Sequence, residues 1–433
     1  MLQPLLRPAS VAANDRLRGA SPLALPAPPV LDLDFVGRPS LHYPGLPPIS
    51  FARASTAARV NASGLIETVA ADAPRFDHHP LTGARRGLLV EGERTNICLE
   101  SETLATSPWT PEHVTVNVNQ AVAPDGAATA DKLEETVDNS FHRIAAGFSM
   151  TVTNVAHTVS FWTKADERSS GFVDIYHGDG SGFAGSFVFD LATGTVGSLT
   201  GIVASAEIEA WPNGWYRVWC VFTPNAGSDG RFDLGICNPA DNTRGTYVGT
   251  VGSGLFYWGA QLEAGAFPTS YIKTMSAPTT RVAESANVAT SGYAFNSNAG
   301  TLLWCGRLIG FAGGITFSDG TTNNQINLRL RSGRTLGQVV TTSGETVVNS
   351  TSSNTATANE QFRSAMAWAL NDYAASLSAG EMITDSLGAV PIGLTNLKLT
   401  GDDSTLPHNG WLERVTYWPS RLSDEIVLTL TAP

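Results

Sequence analysis

Short runs of alternating apolar and polar residues cover most of this chain. LDLDFVG, starting at Leu31, alternates apolar and acidic positions, the period-two signal of a half-buried strand. ISFARASTAARVNASGLIETVAADAPRFDH follows, with NASG as a turn between two strand-like runs, so residues 31–98 read as a small β unit. From 99 to 288 the runs HTVSFWTKA, FVDIYHG, SFVFDL, WYRVWCVFT, RFDLGIC and LFYWGAQL are rich in β-branched and aromatic residues. Turns such as GDGSG, NAGSDG and VGSG separate them. Short strands with regular turn signals predict a sandwich or jelly roll. Residues 289–433 repeat the pattern in TLLWCGRL, NNQINLRLRSG, TLGQVVTT, SAMAWALNDYAASLSAG and LTNLKLTG. They end in WLERVTYWPSRLSDEIVLTLT, where Ser423, Asp424 and Glu425 cap a predicted short helix. Residues 1–30 are rich in Pro, Ala and Leu and read as an extended N-terminal arm, or else as a disordered tail.

Composition agrees with an all-β chain. Among 433 residues there are 42 Gly and 24 Pro, as many short strands with many turns require. The net charge of -12, with no basic run, argues against nucleic acid or anionic lipid as partners. No apolar run approaches the ~20 residues of a membrane helix. MLQPLLRPAS lacks the apolar segment of a secretory signal, which predicts synthesis in a cytoplasm. Cys98, Cys220, Cys237 and Cys305 are not spaced as metal pairs and read as buried free thiols.

Strand alternation sorts the middle region into faces. Val159, Phe161 and Thr163 oppose Ser160, Trp162 and Lys164; Tyr216, Val218, Cys220 and Phe222 oppose Arg217, Trp219 and Val221. Val173 and Ile175 oppose Asp174 and Tyr176, while Phe232 and Leu234 oppose Arg231 and Asp233. One face of each strand is apolar; the other mixes Trp, Tyr, Arg and Asp. A pyranose offers an apolar C–H face and a rim of hydroxyls, which flat aromatics and planar hydrogen-bonding groups match. The candidate carbohydrate contacts are therefore Trp162, Trp219, Arg217, Tyr176, Asp174 and Asp233. The competing reading is a face covered by a loop, a neighbouring domain or a partner subunit. In GLFYWGAQLEAGAFPTSYI, strict alternation puts Phe256, Trp258, Ala260 and Leu262 on the expected core face, leaving Tyr257 and Gln261 as further candidate contacts.

Enzyme signatures are missing. There is no G-x-S-x-G elbow, no HExxH and no phosphate-cradling glycine loop. Asp174 with Asp233 is the carboxylate pair whose separation bears on glycoside hydrolysis. Asp77, His78 and His79 adjoin one another, but neighbours on a strand point to opposite faces. No catalytic residue and no cofactor are assigned. Asp179, or Glu100 with Glu263, offers hard oxygens to a structural Ca²⁺, though solvated turn acids explain them better. Trp304, Trp368, Trp411 and Trp418 read mainly as core. The loops DGTTNN and GDDSTLPHNG are polar enough to touch a ligand.

Three passages carry a family resemblance. FARAST, GLI and PRFDHHPLTGARRGLLVEGERTNICLESE, within residues 51–102, resemble a segment of tail-fibre and head-spike proteins of tailed phages and gene transfer agents. TVSFWTKA, GWYRVWCVF and GLFYWGAQLEAGAFPTSYIKT resemble the jelly roll that follows there, similar to carbohydrate-binding modules. AWALNDYAASLSAG with WLERVTYWPSRLSDEIVLTL resembles a concanavalin/laminin-G-like sandwich. The resemblance implies tandem β-sandwiches, a jelly roll at 99–288 and a concanavalin-like sandwich at 289–433, preceded by the attachment arm. It implies a non-enzymatic virion fibre or spike that binds host surface polysaccharide and promotes adsorption. Other virion proteins would hold it through the arm, without membrane insertion. A homo-oligomer, most simply a trimer or else a pentamer, would raise avidity. A purely structural virion decoration or connector and a polysaccharide depolymerase are the alternatives.

Overall fold

A computed structural model describes residues 28–149, 154–177, 182–225, 229–401 and 407–433. The arm up to residue 27, Asp179 and residues 402–406 of the GDDSTLPHNG loop lie outside these residues. The fold is all-β, and Asp424–Thr431 is the single α-helix among the described residues. Its Ser423 cap accepts a hydrogen bond from the Ile426 amide, as the sequence predicts. The helix covers Leu303, Cys305, Ala365, Ala367 and Trp418 on the outside of the last sheet.

Two sandwiches make up the molecule. The middle one stacks two six-stranded antiparallel sheets. The first runs Val203–Ala210, Trp215–Phe222, His157–Ala165, Gly254–Ala264, Ala130–Glu135, Val114–Ala121. The second runs Thr195–Val196, Phe183–Asp190, Ser170–Tyr176, Asp229–Ile236, His142–Ser149, Trp109–Glu112. Val159, Phe161, Val173, Ile175, Val218, Cys220, Phe222, Phe232 and Leu234 fill the space between them, as alternation requires. The four cysteines are free and buried, and burial pushes their thiol pKa values up.

The small unit expected at 31–98 is not separate. Its strands Leu31–Asp34, Arg75–His78 and Arg85–Val90 join the eight-stranded sheet built around Gly300–Leu308 and Gly410–Trp418. Its strand Ser50–Ala52 is the edge of the facing seven-stranded sheet, paired with Ser285–Ala289. Leu31, Leu33, Phe35, Leu88 and Val90 share one core with Trp304, Phe317, Trp368 and Tyr417. The physical reason is that a few short strands cannot bury an apolar face alone. Their alternation shows a buried face without saying which sheet buries it. The NASG turn does form, joining the hairpin Ala57–Val60 and Ile66–Val69.

The middle sandwich is therefore inserted into the other one. The chain leaves through Arg94–Asn96 and returns through Thr279–Arg281, and these two strands pair antiparallel. Beside them lies a buried ionic cluster. The Arg75 guanidinium is 2.8 Å from Glu91 and 2.6 Å from Glu284; Arg53 is 3.1 Å from Glu284 and Arg281 3.4 Å from Glu91. Arg53 also donates to the carbonyls of Ser55, Ala70 and Ala73. Glu91 accepts from the amide and hydroxyl of Ser270, in the tail of the inserted sandwich.

The strand GLFYWGAQLEA departs from strict alternation. Gly259 has φ +68°, and the ladder slips there, so that Trp162 faces Trp258 but Ser160 faces Gln261. This is a bulge with glycine in the left-handed region. It inverts alternation, so Leu255, Tyr257, Ala260 and Leu262 face the core. Phe256 and Trp258 turn to the outside, into a second cluster with Trp162, Trp211 and Tyr271.

Two predictions follow from this packing. A Cβ on Gly259 would come 2.9 Å from the Trp162 ring in a backbone region costly to L-residues. Gly259→Ala is therefore expected to cost about 1–2 kcal/mol in urea unfolding. Burial opposes ionisation of Glu91, but Arg281 and Arg75 overcome it and hold its pKa at about 2. A folded pKa below the unfolded one gives stability that is full above the unfolded value and lost as pH falls towards the folded one. Unfolding free energy should thus fall between about pH 4 and pH 2, and Glu91→Gln should flatten that slope while lowering stability at pH 7 by about 3–5 kcal/mol.

Candidate functional site

The candidate contacts fall on two opposite outer faces of the middle sandwich. Tyr176, Asp174 and Asp233 lie on the Ser170–Tyr176 and Asp229–Ile236 strands, where Asp174 and Asp233 stand directly opposite each other. Both carboxylates are fully buried. Arg231 clamps Asp233 at 2.6 and 2.8 Å, and Arg244 clamps Asp174 at 2.5 and 2.8 Å. Arg143 touches both, at 3.0 Å from Asp233 and 3.3 Å from Asp174. Tyr176 gives its ring face to Arg231 at 4.8 Å and accepts from Arg143 at 2.7 Å. Polar alternation was correct here, but the carboxylates are consumed by arginines and neither is free to bind a sugar or cleave one.

Tyr257 and Gln261 are also withdrawn as contacts. The Tyr257 hydroxyl donates to the Gly235 carbonyl across the core at 3.0 Å. The Gln261 side chain is buried, donating to Glu263 at 2.7 Å and accepting from the Ile272 amide at 2.7 Å. Glu263, considered for Ca²⁺, is buried and accepts from Thr269 as well. The bulge explains Tyr257, and the returning segment 269–272 covers Gln261. Among the described residues no cluster of three or more His, Cys, Asp or Glu side chains is arranged to hold a metal.

Trp162, Arg217 and Trp219 share the other outer face. Glu209, Arg217, Trp162 and Trp258 form one cross-strand row, and Glu207 faces Trp219 in the next. Trp162 is buried under Trp211, Tyr271 and the hairpin residues Ala58 and Ile66, making edge contacts to Trp211 at 5.3 Å and Tyr271 at 5.6 Å. Arg217 lies over Trp162 at 4.7 Å and donates to the Thr269 carbonyl at 2.7 Å. Covered interface and open surface thus both occur on this face: Trp162 is covered, while Arg217 and Trp219 reach a cleft.

That cleft has a volume of about 410 Å³ and lies between the two sandwiches. Trp211, Trp219 and Phe267 come from the inserted sandwich; Phe311, Arg334 and Trp411 come from the outer one; Asp77 and Arg86 come from the N-terminal segment. Arg86 lies over Trp411 at 4.6 Å and 3.7 Å from Glu209. Asp77 is buried, and burial pushes its pKa up. Its two oxygens accept from the Val60 amide at 2.5 Å and the Trp411 indole at 2.8 Å. Sequence reasoning placed Trp411 in the core and did not find Arg86, Trp211, Phe267, Phe311 or Arg334, because only tertiary contact brings these segments together. Trp304 and Trp368 are core residues as expected.

No protein-family model matches the chain, and no curated protein matches it either. The chain is similar to parts of several solved structures. Domain 4 of the GH43 extracellular arabinanase AbnA from Geobacillus stearothermophilus, in complex with arabinotriose, is 12% identical. The match covers 39% of this chain and 82% of that one, with a TM-score of 0.29. Trypanosoma rangeli sialidase in complex with sialic acid is 10% identical over 74% of this chain, with a TM-score of 0.26, and the match spans 62% of the sialidase. Mouse laminin alpha1 chain domains LG4-5 are 11% identical over 65% of this chain and 87% of that one, with a TM-score of 0.22.

Asp77 is a structural acceptor at the cleft wall. Asp77→Ala would strand the Val60 amide and the Trp411 indole, and thermal unfolding should register a loss of about 1–3 kcal/mol. An unchanged midpoint would contradict this assignment.

Proposed function

We propose that this chain is a fibre or spike subunit on the surface of a virus-like particle, and that the cleft between its sandwiches binds host surface polysaccharide. The observation that carries the reading is the cleft itself. It is large enough for a few sugar rings, has aromatic walls in Trp211, Trp219, Phe267 and Phe311, and carries polar groups at Arg217, Glu207 and Asn359. Aromatic faces cover the C–H side of a pyranose and the polar rim meets its hydroxyls. The virion setting rests on the resemblance of residues 51–102 to phage and gene-transfer-agent fibres and spikes. Attachment to the particle falls to the N-terminal arm, and a homo-oligomer would multiply weak single sites into useful avidity.

Binding without cleavage is the proposed activity. Both oxygens of Asp77 are taken by donors, and Glu209 lies beside Arg86 and accepts from the Trp211 indole at 3.3 Å. The test is binding of the full chain to a panel of bacterial surface polysaccharides. Trp219→Ala should weaken the bound member about tenfold, the loss of one aromatic contact, with polysaccharide length unchanged on incubation. A chain that binds no member of the panel would favour the decoration or connector role, and shortened polysaccharide would favour a depolymerase.

A further inference from the structure

Three arginines converge on the cleft from three parts of the chain, each laid on an aromatic ring. Arg217 lies over Trp162 at 4.7 Å, Arg86 over Trp411 at 4.6 Å and Arg334 over Phe311 at 5.1 Å. Stacking uses the face of a guanidinium and leaves the in-plane N–H donors to other partners. For Arg86 the charge is answered by Glu209 at 3.7 Å. Arg217 and Arg334 differ, because neither forms an ion pair among the described residues. The Arg217 Nη2 donates to the Ser160 hydroxyl at 3.2 Å and the Thr269 carbonyl at 2.7 Å, while its Nε is buried with no acceptor. The Arg334 Nε donates to the Gly310 carbonyl at 2.9 Å. These neutral acceptors fix both groups in place without neutralising them.

The remaining acids of the cleft do not close the gap. Asp77 is engaged by Val60 and Trp411, Glu91 belongs to the buried cluster, and Glu207 is exposed on the edge strand. So a chain of net charge -12 keeps two oriented arginines in this cleft that make no direct ion pair among the described residues; Glu263 and Glu209 act on Arg217, and Glu207 on Arg334, only at longer range. A partly buried cation with no carboxylate in direct contact is incompletely compensated, and an anion arriving with the ligand offsets that cost. Resting on the glycan-binding reading above, we infer that the ligand is an acidic saccharide bearing oxyanion groups. Arg217 offers its remaining Nη1 donors to an oxyanion, and Arg334 meets a further charge on the opposite wall.

Calorimetric titration of the full chain tests this with acidic oligosaccharides containing galacturonic, glucuronic or sialic acid, each paired with its carboxyl-reduced neutral twin. Dextran sulfate against dextran forms a sulfate arm. At least one acidic oligosaccharide should bind about tenfold more tightly than its reduced twin, as charge-assisted hydrogen bonds predict. R334Q should remove most of that difference while changing binding of the neutral twin little, and R217Q should weaken the acidic form severalfold more than its neutral twin. R334Q keeps the test open should R217Q, which is more deeply set, fail to fold. Preference for dextran sulfate alone would support oxyanion recognition and assign sulfate as its source. If no charged member outbinds its neutral twin, or if both variants weaken the two forms equally, the inference is overturned. The wider reading then survives when neutral glycans bind and Trp219→Ala weakens them; it falls with the inference only when nothing binds.

Discussion

Arg75 sits without solvent exposure between Glu91 and Glu284, 2.8 and 2.6 Å from their carboxylates. Around it gather Arg53 and Arg281, giving three guanidiniums against two carboxylates in a buried space. Removing either partner of such a pair leaves a buried charge uncompensated, which is why the cluster constrains everything near it. Its members come from the N-terminal segment and from the stretches that lead into and back from the inserted sandwich. Ser270, in the inserted sandwich, donates twice to Glu91. Arg75 also donates to the Ala58 carbonyl of the hairpin, and Arg53 gathers the carbonyls of the loop beyond it.

That junction decides where the cleft is. The hairpin held by Arg75 covers Trp162, so the aromatic row of the inserted sandwich is buried at one end and open at the other. Arg86 and Asp77 reach the cleft because their strands extend the sheet of the outer sandwich alongside Trp411. A site assembled this way has walls on two sandwiches, joined by paired strands and a charged core. Its aromatic rings give shape and contact area, and its stacked arginines give directional donors. The opposite outer face of the inserted sandwich uses the same residue types to another end. There three arginines meet Asp174, Asp233 and Glu112 and satisfy one another.

Much was legible in the order of residues. Period-two alternation assigned the core faces of most strands in the inserted sandwich, turn chemistry the NASG hairpin and capping residues the final helix, because each depends on neighbours a few positions away. The same alternation failed at Gly259, where one extra residue inverts the faces and a glycine alone does not announce a bulge. It also failed to separate Arg217, which makes no ion pair among the described residues, from Arg231, clamped to Asp233, although both stand on outer faces of strands.

By itself the sequence determined that this is an all-β chain of stacked sheets, with free buried thiols and a mixed aromatic and polar outer surface. Those features follow from local periodicity and composition. Only the tertiary structure decided that residues 31–98 complete the last sandwich, that the middle one is inserted, and that Trp219, Arg217, Arg334 and Trp411 share a cleft. Strand pairing and burial of charge act between residues hundreds of positions apart. Whether an outward Arg or Trp is open, covered or neutralised depends on which distant segment lies over it.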